Sequence, residues 1–132
     1  MRSGRYILVI ALLLAAFAAA EALAADSYSA RAGRPHYDSG SLQLVGKGSY
    51  RSEKRHATMR VTVCLRKRTA GRFFDVRCET ATASKGKRAS AEVSVPGCVK
   101  GVWRTSTVGE AFGRGGALLN QAGAVSKPFR CA

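Results

Sequence analysis

The chain has 132 residues, 46% of them apolar, with 22 Lys and Arg against 8 Asp and Glu, a formal net charge of +14. That length supports one small domain, burying about two-thirds of the surface its unfolded chain exposes, and leaves no room for a second. In chain order, Arg2 and Arg5 give a short positive start, followed by the unbroken apolar run Ile7 to Ala20 and then small residues around Ala22-Leu23-Ala24. These are the three regions of a secretory signal peptide, and the run is short of the roughly 20 residues needed to cross a bilayer. Residues 1–25 are therefore read as a cleaved leader, with no transmembrane segment in the mature chain and a secreted or periplasmic destination. Cleavage removes Arg2, Arg5 and Glu21, so the mature chain stays strongly basic.

Residues 26–41, polar and rich in Gly and Ser without periodicity, read as a loose N-terminal arm. Residues 42–132 read as the folded domain. A strand is expected over Leu42–Tyr50. A longer one follows in "HATMRVTVCLRKR", which sets Ala57, Met59, Val61, Val63 and Leu65 on one face and Thr58, Arg60, Thr62, Cys64, Arg66 and Arg68 on the other. Phe73–Thr82 continues the pattern, and "RASAEVSV" repeats the alternation with Ala89, Ala91, Val93 and Val95 before Pro96-Gly97 ends it. "GVWRTSTV" and Ala124–Phe129 complete the set. The five glycines in "GEAFGRGGALLNQAG" favour a loop there over a helix. Short strands separated by Gly, Ser and Lys turns predict an all-β fold: a small immunoglobulin-like antiparallel sandwich, with a small β-barrel as the alternative.

Four cysteines, Cys64, Cys78, Cys98 and Cys131, in a small exported chain predict two disulfides. No Cys-x-x-Cys occurs, and His36 and His56 bring no paired-ligand spacing, so neither a redox motif nor a metal site is read. Cys64 and Cys78 lie equally far from Gly71, in the expected hairpin loop Thr69-Ala70-Gly71-Arg72, and facing positions of a hairpin suit a disulfide. That pairing puts Phe74 and Val76 on the cysteine face, against the apolar face of Val61, Val63 and Leu65, so an irregularity is expected in this hairpin. At least one of Phe73 and Phe74 is expected in the core. Cys98 with Cys131 would tie down the C-terminal end beside the strand carrying Trp103. Trp103, the single tryptophan, is expected in the core with its indole N–H bonded.

The run "VTVCLRKR…FFDVRC…SAEVSVPGCVKGVWRTSTVG…FRC", spanning roughly Ser41 to Cys131, resembles small secreted bacterial proteins with a disulfide-linked β-sandwich. The resemblance implies a fold and an envelope or extracellular location. It implies no defined chemistry and supplies no catalytic residues.

No catalytic constellation is read from the residues themselves. Asp75 and Glu79 share a strand face four residues apart, about 13 Å along a strand, too far for a cooperating carboxyl pair. Glu92 sits among serines on a polar face, and no Gly-x-Ser-x-Gly or phosphate loop occurs. The remaining functional signal is charge. Basic residues cluster at Arg51, Lys54 and Arg55, at Arg66, Lys67, Arg68, Arg72 and Arg77, and at Lys85, Lys87 and Arg88. The chain reads as a non-enzymatic, cofactor-free binding protein, with Arg66, Lys67, Arg68 and Arg72 as candidate contacts to an anionic polysaccharide or lipid surface. A secreted inhibitor or antimicrobial protein is the alternative. Nucleic acid is disfavoured by export and by aromatics that are not interleaved with the basic clusters.

Overall fold

The alternation at Ala57–Leu65 does form a strand, but one much longer than the pattern marks. The computed structural model describes residues 27–132, and every regular element within them is β. In order these are β1 (Tyr28–Ala32), β2 (His36–Asp38), β3 (Gln43–Thr69), β4 (Arg72–Pro96), β5 (Gly101–Phe112), β6 (Leu118–Val125) and β7 (Phe129–Cys131). The expected leader lies outside the described residues. No helix among the described residues is long and apolar enough to cross a membrane.

The all-β class and both disulfides are as expected. All seven strands hydrogen-bond into one sheet, curled as a half-barrel, and two separate sandwich sheets are not resolved by this pairing. β3 is its spine. One edge of β3 takes β4 along nearly its full length, while the other takes β1 and β2 first and β5 later. β5 carries β6 and β7 on its far edge.

The curl comes from a break in β3. Arg51 faces Arg88 but His56 faces Gly86, so residues 52–55 fall out of register with β4. A bulge of this kind bends its strand and increases the local twist. Side chains fix the corner. Ser52 Oγ lies 2.9 Å from His56 Nε2, both side chains are buried, and the Lys54 N–H donates to Ser52 Oγ at 3.2 Å. Tyr28 stacks on Tyr50 with centroids 6.0 Å apart and lies 5.4 Å from the His56 ring. The Tyr50 hydroxyl donates to Asn120 Oδ1 at 2.6 Å. Burial pushes its pKa up to about 12, so it remains a donor through the neutral range.

Past this corner the two ends of β3 face each other across the core, and glycines set how closely. A Cβ on Gly46 would stand 2.7 Å from Thr105 Oγ1 and 3.0 Å from Leu65 Cδ2, and one on Gly109 would run into the Tyr50 ring. Around this seam pack Leu44, Tyr50, Met59, Val61, Val63 and Leu65 of β3, with Ala89, Val93 and Val95 of β4 and Trp103 and Ala111 of β5. Each buried Val or Leu contributes about 1.5–3 kcal/mol of transfer free energy.

The Cys64–Cys78 bridge joins directly facing residues with Cα atoms 4.0 Å apart. The expected irregularity lies immediately beyond it: Leu65 faces Arg77 and Arg66 faces Asp75, which leaves Val76 unpaired. The core face of β3 gains nothing from β4 here, because Phe74 is 54% and Val76 51% exposed. Phe73 is half-buried on the outer face beneath the Arg104 guanidinium, whose Cζ lies 4.0 Å from the ring centroid. The expectation of a core phenylalanine in this pair is therefore corrected: Trp103 of β5, facing Lys67, takes the inner position.

The hairpin turn is Ala70-Gly71, with φ of 52° and 80°. Two left-handed residues make the turn that matches strand twist, and alanine adopts that conformation at a cost of roughly 1 kcal/mol. Ala70→Gly should therefore raise stability by about 0.5–1 kcal/mol, less what glycine adds to unfolded-state entropy. Paired urea melts of the oxidised proteins would check this, and a lower midpoint for the variant would contradict it.

The second bridge, Cys98–Cys131, spans 33 residues, with Cα atoms 5.4 Å apart. Closing a loop of that length contributes about 3–4 kcal/mol in the chain-entropy account. It holds β7 against the start of β5, where Gly101 faces Cys131 and Trp103 faces Phe129. Trp103 is 2% exposed and its indole N–H donates to the Val99 carbonyl at 2.8 Å.

Three segments differ from expectation. The arm, as far as it is described, contributes β1 and β2, because Tyr28, Ala30 and Ala32 turn inward against β3 while Ser29 and Arg31 face solvent. The expected loop after Gly109 holds the end of β5 and most of β6; only Gly113–Gly116 is a turn, closed by the Gly116 N–H to the Gly113 carbonyl at 3.0 Å. The strand expected at Ala124–Phe129 is interrupted at residues 126–128, where Ser126 Oγ accepts the Thr105 N–H instead.

Candidate anion-binding surface

The four basic residues singled out in the sequence part company in the fold, because consecutive strand residues point to opposite faces. Arg66 is committed to its own hairpin: Nε lies 2.8 Å from Asp75 Oδ1, and Nη2 donates to the Phe73 carbonyl at 2.8 Å. Lys67 turns to the other side, its Nζ 6.0 Å from the Trp103 ring centroid. Arg72 is exposed beside the turn. Arg68 shares a concavity with Arg34 and Arg130 rather than with its sequence neighbours.

A broader basic surface lies on the solvent face of β1, the first half of β3 and the second half of β4. Register places Ser29, Arg51 and Arg88 in one row, Arg31, Ser49 and Ser90 in the next, and Lys47 beside Glu92 in a third. Alternation turns all of these to one side while Tyr50, Ala89 and Val93 fill the other. The centre of the surface is a shallow groove of about 460 Å³, lined by Arg31, Lys47, Ser49, Arg88, Ser90 and Glu92. The Lys47–Glu92 contact is long, at 3.8 Å, and both side chains are mostly exposed, so it leaves the cationic character largely intact. Guanidinium forks offer paired donors to carboxylate, sulfate or phosphate oxygens, and the serine hydroxyls between them add neutral donors. The groove can hold an extended anion by many exchangeable contacts.

Sequence reading missed Arg31 and Lys47 here. The signal was present in "KGSYR" and "RASAE", where polar residues alternate with core residues. What it lacked was the register that sets those strands side by side.

The carboxylates are dispersed, and Asp75, Glu79, Glu92 and Glu110 are engaged by neighbouring cations, while Asp38 accepts from the Gly40 N–H and the Ser41 hydroxyl. Besides Asp75 with Arg66 and Glu92 with Lys47, Arg77 Nη2 stands 3.6 Å from Glu79 and Arg60 Nη2 stands 2.9 Å from Glu110. Ser52 and His56 have the separation of a nucleophile and its base, a pairing the sequence reading passed over. Ser52 Oγ also accepts the Lys54 N–H, and both residues sit inside the β3 corner, which is a structural use of the pair. Ligand atoms of Cys64, Asp75 and Cys78 lie within 4.8 Å of one another, but both sulfurs are bound in the disulfide and offer no thiolate.

Compared with known protein families, with curated proteins and with solved structures, the chain matches none.

Proposed function

We propose that this is an exported bacterial binding protein, non-enzymatic and cofactor-free, whose β1–β3–β4 face grips an anionic envelope glycan. The observation that carries the reading is the groove in which Arg31, Lys47 and Arg88 surround Ser49 and Ser90 with Glu92 as its one carboxylate. The leader pattern at residues 1–25 supports export, and two disulfides suit an oxidising compartment. The proposal includes the finer fold reading, an immunoglobulin-like sandwich whose curled sheet acts as two layers. The support is that both ends of β3 face one core.

Replacing Arg31, Lys47 and Arg88 together by Ser should leave the fold intact, because exposed charges contribute little to stability. Binding to an immobilised carboxylated polysaccharide at roughly 0.01 M salt should weaken at least about tenfold, with a flatter salt dependence, as expected of screened Coulomb contacts. Neutral dextran is the control, and vesicles of anionic lipid test the other candidate surface. Unchanged glycan binding by the folded variant would refute the groove as the site.

The inhibitor reading has one observation of its own. Among the described residues β4 pairs only with β3, so its outer edge offers a place for strand addition by a partner. A growth-inhibition assay with the purified protein separates that reading from the first.

A further inference from the structure

Arg34, Arg68 and Arg130 come from three distant parts of the chain and line one small concavity of about 280 Å³ with Val102, Pro128 and Phe129. The backbone at each is held. The Gly33 N–H donates to the Lys47 carbonyl at 2.8 Å and Pro35 is fully buried, which fixes the chain on both sides of Arg34. Arg68 stands on β3 facing Phe73, two residues beyond Arg66. Arg130 faces Val102 across β7 and β5, next to the Cys98–Cys131 bridge.

Arg34 is also oriented. Its Nε donates to the Pro128 carbonyl at 2.9 Å, and its Cζ lies 5.7 Å from the Phe129 ring centroid. One donor is thus spent on positioning, and both terminal nitrogens remain for a ligand. No acidic residue lines the concavity, and among the described residues none of the three arginines forms an ion pair. Three arginines lining one concavity without a carboxylate repel one another, and a bound anion converts that repulsion into attraction.

We propose that Arg34, Arg68 and Arg130 form a binding site for a phosphomonoester dianion. Two oxygens of a carboxylate would be satisfied by a single arginine, whereas a terminal phosphate presents three oxygens in three directions, one set for each fork. The volume is at the small end for ligand sites and suits one compact group with its first attached carbons, not a polymer. Val102, Pro128 and Phe129 supply the apolar wall for those carbons. The inference extends the anion-binding reading above to a second site built from different residues.

The test uses the oxidised mature chain, titrated with sodium phosphate against sodium acetate at matched ionic strength and followed by calorimetry. Phosphate should bind at least about tenfold more tightly than acetate. Arg68→Ser and Arg130→Ser should each weaken phosphate at least about fivefold, while the Arg31, Lys47, Arg88→Ser variant should bind it as the parent does. Arg34 is left in place because it also braces Pro128. Glucose 1-phosphate and vesicles of phosphatidic acid in phosphatidylcholine form two further arms. Tighter binding of either than of inorganic phosphate would support the site and name a glycan or a lipid source.

Equal binding of acetate, or phosphate affinity unchanged in the two arginine variants, would overturn the proposal. So would absence of phosphate binding by a chain that still binds the polysaccharide, an outcome that leaves the glycan reading standing. Loss of phosphate in the groove variant alone would place the phosphate in the groove and also overturn it.

Discussion

Trp103→Ala should destabilise the fold by about 3–5 kcal/mol, a large share of the 5–15 kcal/mol typical of a whole domain. The indole is 2% exposed, bonds to the Val99 carbonyl, and packs in the same cluster as Leu65 and Cys131. Truncation leaves a cavity where β3, β5 and β7 meet, and the carbonyl of Val99 loses its donor. The far-UV spectrum of the oxidised variant and its urea midpoint give the measurement. A midpoint unchanged from the parent would show that this corner does not bear on stability.

Gly109→Ala should produce the second largest loss, about 3 kcal/mol, at the upper end for an added methyl in a packed core. The new Cβ would occupy the space of the Tyr50 ring. Tyr50 cannot move aside without giving up its bond to Asn120 and its stack on Tyr28. The companion test is the pair Gly109→Ala with Tyr50→Val, which frees the space. The double variant should be destabilised by less than the sum of the two single changes, a coupling of at least about 1 kcal/mol in a mutant cycle. Additive effects would show that ring and glycine do not compete for the same volume.

The sequence carried the parts of the fold that depend on local alternation. Met59, Val61, Val63 and Leu65 are core, as are Ala89, Val93 and Val95, and both cysteine pairings follow from hairpin symmetry and from the position of Cys131. The bulge at Val76 was legible too, because directly facing cysteines and a shared apolar face cannot coexist without one. β1 was hidden because its inward residues are Tyr28, Ala30 and Ala32, mostly too small to mark a face. β6 was hidden by Gly123 and by Asn120 and Gln121, whose value as strand residues arises only against Tyr50 and β5. Period-2 alternation reports which way a side chain points and nothing about where a long strand bends. It therefore missed that the strands expected over Leu42–Tyr50 and His56–Arg68 are parts of one β3, Gln43–Thr69. The candidate sites were the least legible, since Arg31 meets Arg88, and Arg34 meets Arg68 and Arg130, only through long-range register.

The glycine seam has a kinetic meaning. With Gly46 packed against Thr105 and Gly109 against Tyr50, the inner face of the curled sheet is filled at these points by its own side chains, while both proposed anion sites open at the surface. On the proposed reading, a ligand reaches these sites without passing through the core. Association should then run near the limit set by diffusion and by the attraction of a strongly basic surface, and residence should be short. On the proposed glycan-binding reading, such a surface would act as a quickly reversible tether, retained by many fleeting contacts along a polymer, with a lifetime set by the salt around it.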